Sequence, residues 1–166
     1  GISAAGGVLA YLRENQKEKL IHINRLARAA DEERMIIDSS SRRNLELVLS
    51  LHSARKHGTL LGTIDQTRTP MGGRMLVQWI SYPLLNLAAI GERHDAVEEL
   101  SRDHAGRSAM IETLKQSGDL ERLLARFATG RANARDAIAV LHSLRTVEEL
   151  TLHLQPMSAS MLAGAC

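Results

Sequence analysis

Thr69-Pro70-Met71-Gly72-Gly73-Arg74-Met75-Leu76-Val77-Gln78-Trp79-Ile80-Ser81-Tyr82-Pro83 is the stretch that decides how this chain folds. The Thr69 hydroxyl can cap a helix, and Pro70 suits the first helical position, where no backbone N–H is needed. Pro83 ends the helix and pushes Tyr82 towards an extended conformation. Met71, Met75, Trp79 and Tyr82 follow helical spacing, as do Gly72, Leu76 and Ile80 on a neighbouring face. Only Arg74, Gln78 and Ser81 form a polar stripe. A helix apolar on most of its surface is expected to be buried among other elements. Gly72 and Gly73 each cost roughly 1 kcal/mol against alanine, which implies that another backbone comes close. Pro70, Gly72, Gly73 and Trp79 are therefore the expected hinge and packing positions.

Working outward, the 166 residues suit one domain or a piece of a larger protein. The chain is 44% hydrophobic but only 2% aromatic. Its core must come from Leu, Ile, Val, Met and Ala, which favours helix over sheet. A net charge of +2 and a pI near 9.0 are mildly basic and do not by themselves argue for nucleic acid. The single cysteine, Cys166, is the last residue. That leaves no internal disulfide and no cysteine zinc site within one chain, and fits a reducing compartment. No apolar run is long enough to cross a membrane, and the first residues do not read as a signal peptide. A cytoplasmic location is expected.

In chain order, a helix begins near Ala4, with Ala5, Val8, Leu9 and Leu12 on its apolar side and Lys17-Glu18-Lys19 at its end. Leu20 to Leu26 alternates loosely, and Arg28 to Arg34 reads as a loop. Met35-Ile36-Ile37 is long enough for a short strand that could pair near Ile21 and Ile23. Asp38 caps a helix running to His57-Gly58, with Leu45, Val48 and Leu49 on one face and Leu47 and Leu51 widening it. A short helix from Thr59 to about Asp65 turns Leu60, Leu61 and Ile64 inward. Beyond Pro83, Asn86 caps a long helix with Ile90, Val97 and Leu100 inside and Glu92, Asp95, Glu98 and Glu99 outside. Gly106 marks a break, and Met110, Ile111 and Leu114 belong to a short helix stopped by Gly118. Asp119 caps the next, where Leu120, Leu123, Leu124 and Phe127 are amphipathic. Asn133 caps the last, with Ala137, Val140, Leu141, Leu144 and Val147 on its buried face. The expected architecture is all-α, with seven or eight helices and at most one short strand pair. Residues 1–154 form the helical domain, and 155–166 are weakly patterned.

The sequence offers little chemistry. No lysine follows a glycine in a phosphate loop, and there is no H-E-x-x-H. His52 and His57 are five apart, off one helical face, and His22, His94, His104, His142 and His153 are scattered, so no metal site is expected. Ser39, Ser40 and Ser41 lack nucleophile-elbow glycines and suit capping instead. Arginine is more suggestive. Arg122, Arg126, Arg131, Arg135 and Arg145 face only Glu121 and Asp136 over that span. Such a group could touch a DNA backbone through Arg122, Arg126, Arg131 and Arg135. It could equally be a solvated face or pair with a neighbouring acidic helix. Arg42 and Arg43 suit structural ion pairs as well as binding.

Longer segments carry a family resemblance. Asp38-Ser39-Ser40-Ser41-Arg42-Arg43-Asn44-Leu45-Glu46-Leu47 resembles L-D-x-x-T-R-R-N-L-E-L of the MutS family of DNA mismatch-repair proteins, with Ser41 where Thr is usual and Ile37 where Leu is common. Leu60 to Leu76 resembles its L-D-x-T-x-T-P-M-G-x-R-x-L. Trp79 and Pro83-Leu84 fall at W-x-x-x-P-L. Arg93-His94-Asp95-Ala96-Val97-Glu98-Glu99-Leu100 resembles R-x-D-A-V-E-x-L, and Gly118 to Arg126 resembles G-D-L-E-R-x-x-x-R. Ala4 to Leu12 fits the start of the same domain. These matches keep their order from about Ala4 to Leu150.

The resemblance implies the first part of the family's helical core, or lever, domain (its domain III). The family's mismatch-reading F-x-E motif is absent, because Phe127 is followed by Ala128-Thr129. So are the ATPase phosphate loop and the DNA clamp. The resemblance implies no catalytic residue and no cofactor in this chain, with ATP and magnesium belonging to the parent protein. Its partners would be the parent's ATPase, clamp and connector domains, duplex DNA through the parent, and a second copy in a homodimer. The parent would be bacterial, cytoplasmic and nucleoid-associated. The implied role is mechanical: nucleotide state tilts a helical body that opens or closes the clamp. Rival readings are a stand-alone helical adaptor, a non-specific duplex-binding module and, lacking any constellation, a small enzyme.

Overall fold

The computed structural model describes residues 2–16 and 34–165, and the described chain is helical. Its elements are α1 (Ile2–Gln16), α2 (Ser39–Asn44), α3 (Leu60–Ile64), α4 (Pro70–Ser81), α5 (Leu87–Arg102), α6 (His104–Gln116), α7 (Leu120–Ala128), α8 (Ala134–Leu154) and α9 (Ser160–Ala163). Among the described residues the one β contact is an isolated antiparallel bridge between Arg34 and Leu84. The chain is all-α, the class that its composition favours. The expected partners of Met35-Ile37, Ile21 and Ile23, lie outside the described residues, as do Lys17-Glu18-Lys19, His22 and Cys166. Met35 instead donates its N–H to the Pro83 carbonyl at 2.7 Å. Residues 34–35 thus run beside the link between α4 and α5.

The caps sit where the sequence places them. Asp38 accepts from the N–H groups of Ser40 and Ser41, and Thr59 from that of Gly62. Thr69 caps α4 ahead of Pro70, and Asn86 caps α5. At α8, Asn133 accepts from Arg135 and Asp136, and Asp136 accepts the Asn133 N–H in return. Each such cap satisfies donors that the first helical turn leaves open.

Two helix boundaries move. The helix expected to run from Ser39 to His57 stops at Asn44. Glu46 turns to a positive φ of 46°, and its carboxylate accepts the Leu51 N–H at 2.6 Å. The Leu47 carbonyl accepts the Leu61 N–H at 2.9 Å. These bonds take the place of the next helical turn and wrap residues 45–58 around α3. The break expected at Gly106 falls at Asp103. That residue ends α5 and caps α6, accepting the Gly106 N–H at 2.8 Å. A Cβ on Gly106 would meet only the carboxylate end of the exposed Asp103 side chain, which can turn aside.

Packing departs further from the pattern. α8 lies against α6 and α7, α5 against α6 and α9, and α3 against α4. The face of α8 that is buried carries Asp136, Ser143 and Thr146, not the stripe of Ala137, Leu141, Leu144 and Val147. Small residues let α6 approach, and their hydroxyls turn back to the helix: Ser143 to the Ala139 carbonyl at 2.9 Å, Thr146 to that of His142 at 3.0 Å. Thr113 of α6 donates to Glu149 at 3.3 Å. Leu141, Leu144 and Ile138, the last 56% exposed, face away from this seam. Val97, Leu124, Phe127, Leu60 and Ile64, expected inside, are also exposed. Among the described residues the buried apolar ones are Leu61, Ala96, Met110 and Met157.

The glycines separate two energetic cases. A Cβ on Gly62 would collide with the Lys56 carbonyl, whereas a Cβ on Gly91, within α5, meets nothing within 4 Å. Gly91→Ala should raise stability by about 0.5–1 kcal/mol through helix propensity and a less mobile unfolded chain. Gly62→Ala should lower it, because backbone must move. Thermal unfolding of both variants checks the contrast; equal shifts would contradict the Gly62 contact.

Candidate functional site

The densest polar contacts gather where α6 turns into α7. Gly118 donates its N–H to the Ser143 hydroxyl at 3.1 Å, and Ser143 is 1% exposed. A Cβ on Gly118 would stand 2.8 Å from that oxygen and 3.4 Å from Leu123 Cδ1, so only glycine fits without displacement. The next residue, Asp119, caps α7 and receives Arg74 of α4 in a fork. Arg74 Nη1 donates to Oδ2 and Nη2 to Oδ1, each at 2.8 Å. Arg74 Nε also donates to Glu121 at 2.9 Å. One dipeptide thus ties α4, α7 and α8 together.

Planar guanidinium and carboxylate match in this fork, and the bonds are charge-assisted. Asp119, and then Glu121, hold the Arg74 guanidinium above the ordinary arginine range. Arg74 holds the Asp119 carboxyl below the usual carboxylate range. A similar carboxylate joins the C-terminal segment to α5. Glu99 accepts the Ser158 N–H at 2.8 Å, the Ser158 hydroxyl at 3.0 Å and the Ala159 N–H at 2.8 Å. The Ser158 and Ala159 N–H groups lower its pKa. Glu99 is therefore half-buried and engaged, not part of a free acidic face with Glu92, Asp95 and Glu98.

The expected packing residues fall as follows. Pro70 opens α4, and Gly72 donates its N–H to Thr69 Oγ1 at 3.0 Å. Cβ atoms on Gly72 and Gly73 would meet the Thr67 and Thr69 side chains at 3.1–3.7 Å. The close neighbour is the segment leading into the helix, not a second backbone. Pro70, Gly73, Arg74 and Arg122 share one shallow cleft with Lys56 and Asp65, and Lys56 there is paired with Asp65. Trp79 is covered by Arg93, whose guanidinium carbon lies 3.7 Å from the ring centroid. α4 is thus half-buried, with Met75 and Tyr82 exposed. A cation closes one ring face where an apolar neighbour was expected.

The arginine face divides. Arg126 pairs with buried Asp136 at 2.8 Å, and Arg122 lies 3.4 Å from Asp119. Arg131 and Arg135 are exposed and form no ion pair among the described residues. Arg42 and Arg43 form none either, and Arg42 instead lies over the Tyr82 ring. Sequence reasoning missed Ser143, Glu99 and the partnership of Arg74 with Asp119. The last had a visible signal, since both residues fall in the segments that carry the family resemblance. Among the described residues no three His, Cys, Asp or Glu side chains are grouped to hold a metal ion. No helix of the described part is long and apolar enough to cross a membrane.

Both tying carboxylates, Asp119 and Glu99, have lowered folded pKa values. Their stabilisation is complete above about pH 5 and is lost as pH falls through those lowered values, because the unfolded chain takes up protons first. Urea unfolding followed from pH 6 to pH 3 should show stability falling with acid. Asp119→Asn and Glu99→Gln should each be less stable at pH 6 and flatter in their pH dependence. An unchanged slope in both variants would contradict these contacts.

Comparison with known proteins points to one family. The family model described as MutS domain III matches residues 40–164. The chain is similar to the DNA mismatch repair protein MutS of Anaeromyxobacter dehalogenans strain 2CP-C, 42% identical over 165 residues. That match covers 99% of this chain and 19% of the relative. The MutS of Salinibacter ruber is 44% identical over 145 residues, covering 87% of this chain and 16% of the relative. The MutS of Trichodesmium erythraeum is 42% identical over 151 residues, covering 91% and 17%. The chain therefore spans about a fifth of the length of the curated relatives it matches.

Proposed function

This chain belongs to the MutS family, as its domain III, and from that premise we propose that it is the helical lever of a longer mismatch-repair protein. In this reading it joins an ATPase domain to a DNA clamp and passes nucleotide-dependent movement between them. The observation that carries the reading is the Gly118-Asp119 junction, which fastens α4, α7 and α8 to one another by directional polar contacts. A body held this way shifts as a unit, as relayed motion requires. The open apolar side of α8, with Ile138, Leu141 and Leu144 exposed, supports it too. Such a stripe fits a segment that packs against further chain. ATP and magnesium would be bound by the parent elsewhere, and other domains, duplex DNA and a second copy would be its partners.

The rival duplex-binding reading loses ground at two of its four arginines, since Arg122 and Arg126 face carboxylates. A titration of the chain on duplex DNA at rising salt separates the two. The lever reading expects no binding at physiological salt; tight binding with a steep salt slope would favour the module.

The lever itself is tested in the full-length parent carrying Arg74→Gln. ATP turnover should persist while ATP-driven release from mismatched DNA slows, about tenfold for each 1.4 kcal/mol of lost coupling. Release kinetics equal to those of the unsubstituted parent would refute the role given to the junction.

A further inference from the structure

Three arginines from separate segments gather at the C-terminal end of α4. Arg93 of α5 stacks on Trp79 at 3.7 Å. Arg42 of α2 lies 4.7 Å from the Tyr82 ring centroid. Arg34 is bridged to Leu84 just beyond that ring and is near enough for its charge to act on Arg93. All three are half-buried, and among the described residues no carboxylate pairs with any of them. Arg42 Nη2 donates to the Ile37 carbonyl at 3.2 Å. Its Nε is buried and has no hydrogen-bond partner among the described residues. Burial, and then the charge of Arg34, hold the Arg93 guanidinium below its ordinary value.

Ring stacking and the negative end of the α4 dipole help gather cations here. Neither satisfies their N–H edges. A ring occupies the face of a guanidinium and leaves its in-plane donors open, in the orientation that suits a planar oxyanion. Like charges held together with part of their hydration removed favour a counter-charge. We propose that Arg34, Arg42 and Arg93 form a receptor for a carboxylate, an Asp or Glu side chain carried by another part of the longer protein. The relatives' greater length supplies such an occupant, since the chain covers only 19% of the Anaeromyxobacter relative. A carboxylate on a side chain reaches a recessed site. A duplex backbone is instead held by protruding cations that neutralise a row of phosphates.

Trp79 is the only tryptophan and stacks on one of the three cations, so its fluorescence reads the cluster. The chain is titrated with a hexaglutamate peptide, with inorganic phosphate and with a short DNA duplex. The expected result is a saturable change with the peptide, at lower concentration than with phosphate or duplex per anionic group. Arg93→Gln and Arg42→Gln should weaken peptide binding about tenfold, the loss of one charge-assisted bond, and Arg93→Lys should weaken it less. Arg34→Gln, which removes no ring contact, should give the same weakening with the helical circular dichroism unchanged. No saturable change, or a response to duplex or phosphate at lower concentration than to peptide, overturns the proposal. So does Asp31→Asn/Glu32→Gln/Glu33→Gln if it shifts Trp79 fluorescence and tightens peptide binding, because the chain's own acids would then fill the site.

Discussion

The fork between Arg74 and Asp119 is the constraint on which the arrangement of the helices depends. The two residues are 45 positions apart, and the contact joins α4 to the cap that starts α7. Gly118, next to Asp119, does the same for α8 through Ser143. A bidentate charge pair fixes orientation as well as distance, which an apolar contact does not. The half-exposed setting limits its contribution to stability. Its importance here is geometric: it decides which faces of three helices meet.

Because polar contacts set the seams, the apolar residues are left with an unusual distribution. α6 and α8 meet across Thr113, Ser143 and Thr146, all buried and all hydrogen-bonded. Buried hydroxyls that are satisfied cost little, and their small size brings the helices close. The long apolar side chains of α8 point the other way. The same inversion marks α7, where Leu124 and Phe127 are exposed, and α5, where Val97 is 66% exposed while Ala96 is buried. On α5 and α8 the buried positions are small or polar, and several of the large apolar side chains of α5, α7 and α8 are exposed.

That inversion explains which parts of the fold were legible in the sequence. Helix starts were, because a cap is a local event: Asp38, Thr59, Thr69, Asn86, Asp119 and Asn133 act on N–H groups two or three residues ahead. The end of α2 was not, because Glu46 is claimed by Leu51 and by the approach to α3. The inward faces of α7 and α8 were misread for one physical reason. Periodicity shows which side of a helix needs cover, but does not say that the cover lies within the same stretch of chain. The arginine–aromatic contacts of Trp79 and Tyr82 were equally invisible, since α2, α4 and α5 must fold before they exist. The motifs that carried the family resemblance did hold Arg74 and Asp119, though nothing in their spacing joined them.

A relay of movement needs stiffness along its length and definite joints at its ends. α8 supplies length: 21 residues at 1.5 Å each make a rod of about 31 Å. Its N-terminus is fastened twice, by the Asn133–Asp136 capping box and by Arg126 on Asp136. Asp136 is thereby both cap and ion-pair partner, and its carboxylate is buried. Further along α8, Ser143 holds the rod against the turn at Gly118, and Thr146 is buried where α8 meets α6. Sliding by one helical turn would strip the Gly118 N–H and the Asp136 carboxylate of partners at the same time. Such a loss comes all at once, so the assembly resists small shifts and yields, if at all, between discrete arrangements. In the proposed lever that property matters more than the depth of the apolar core.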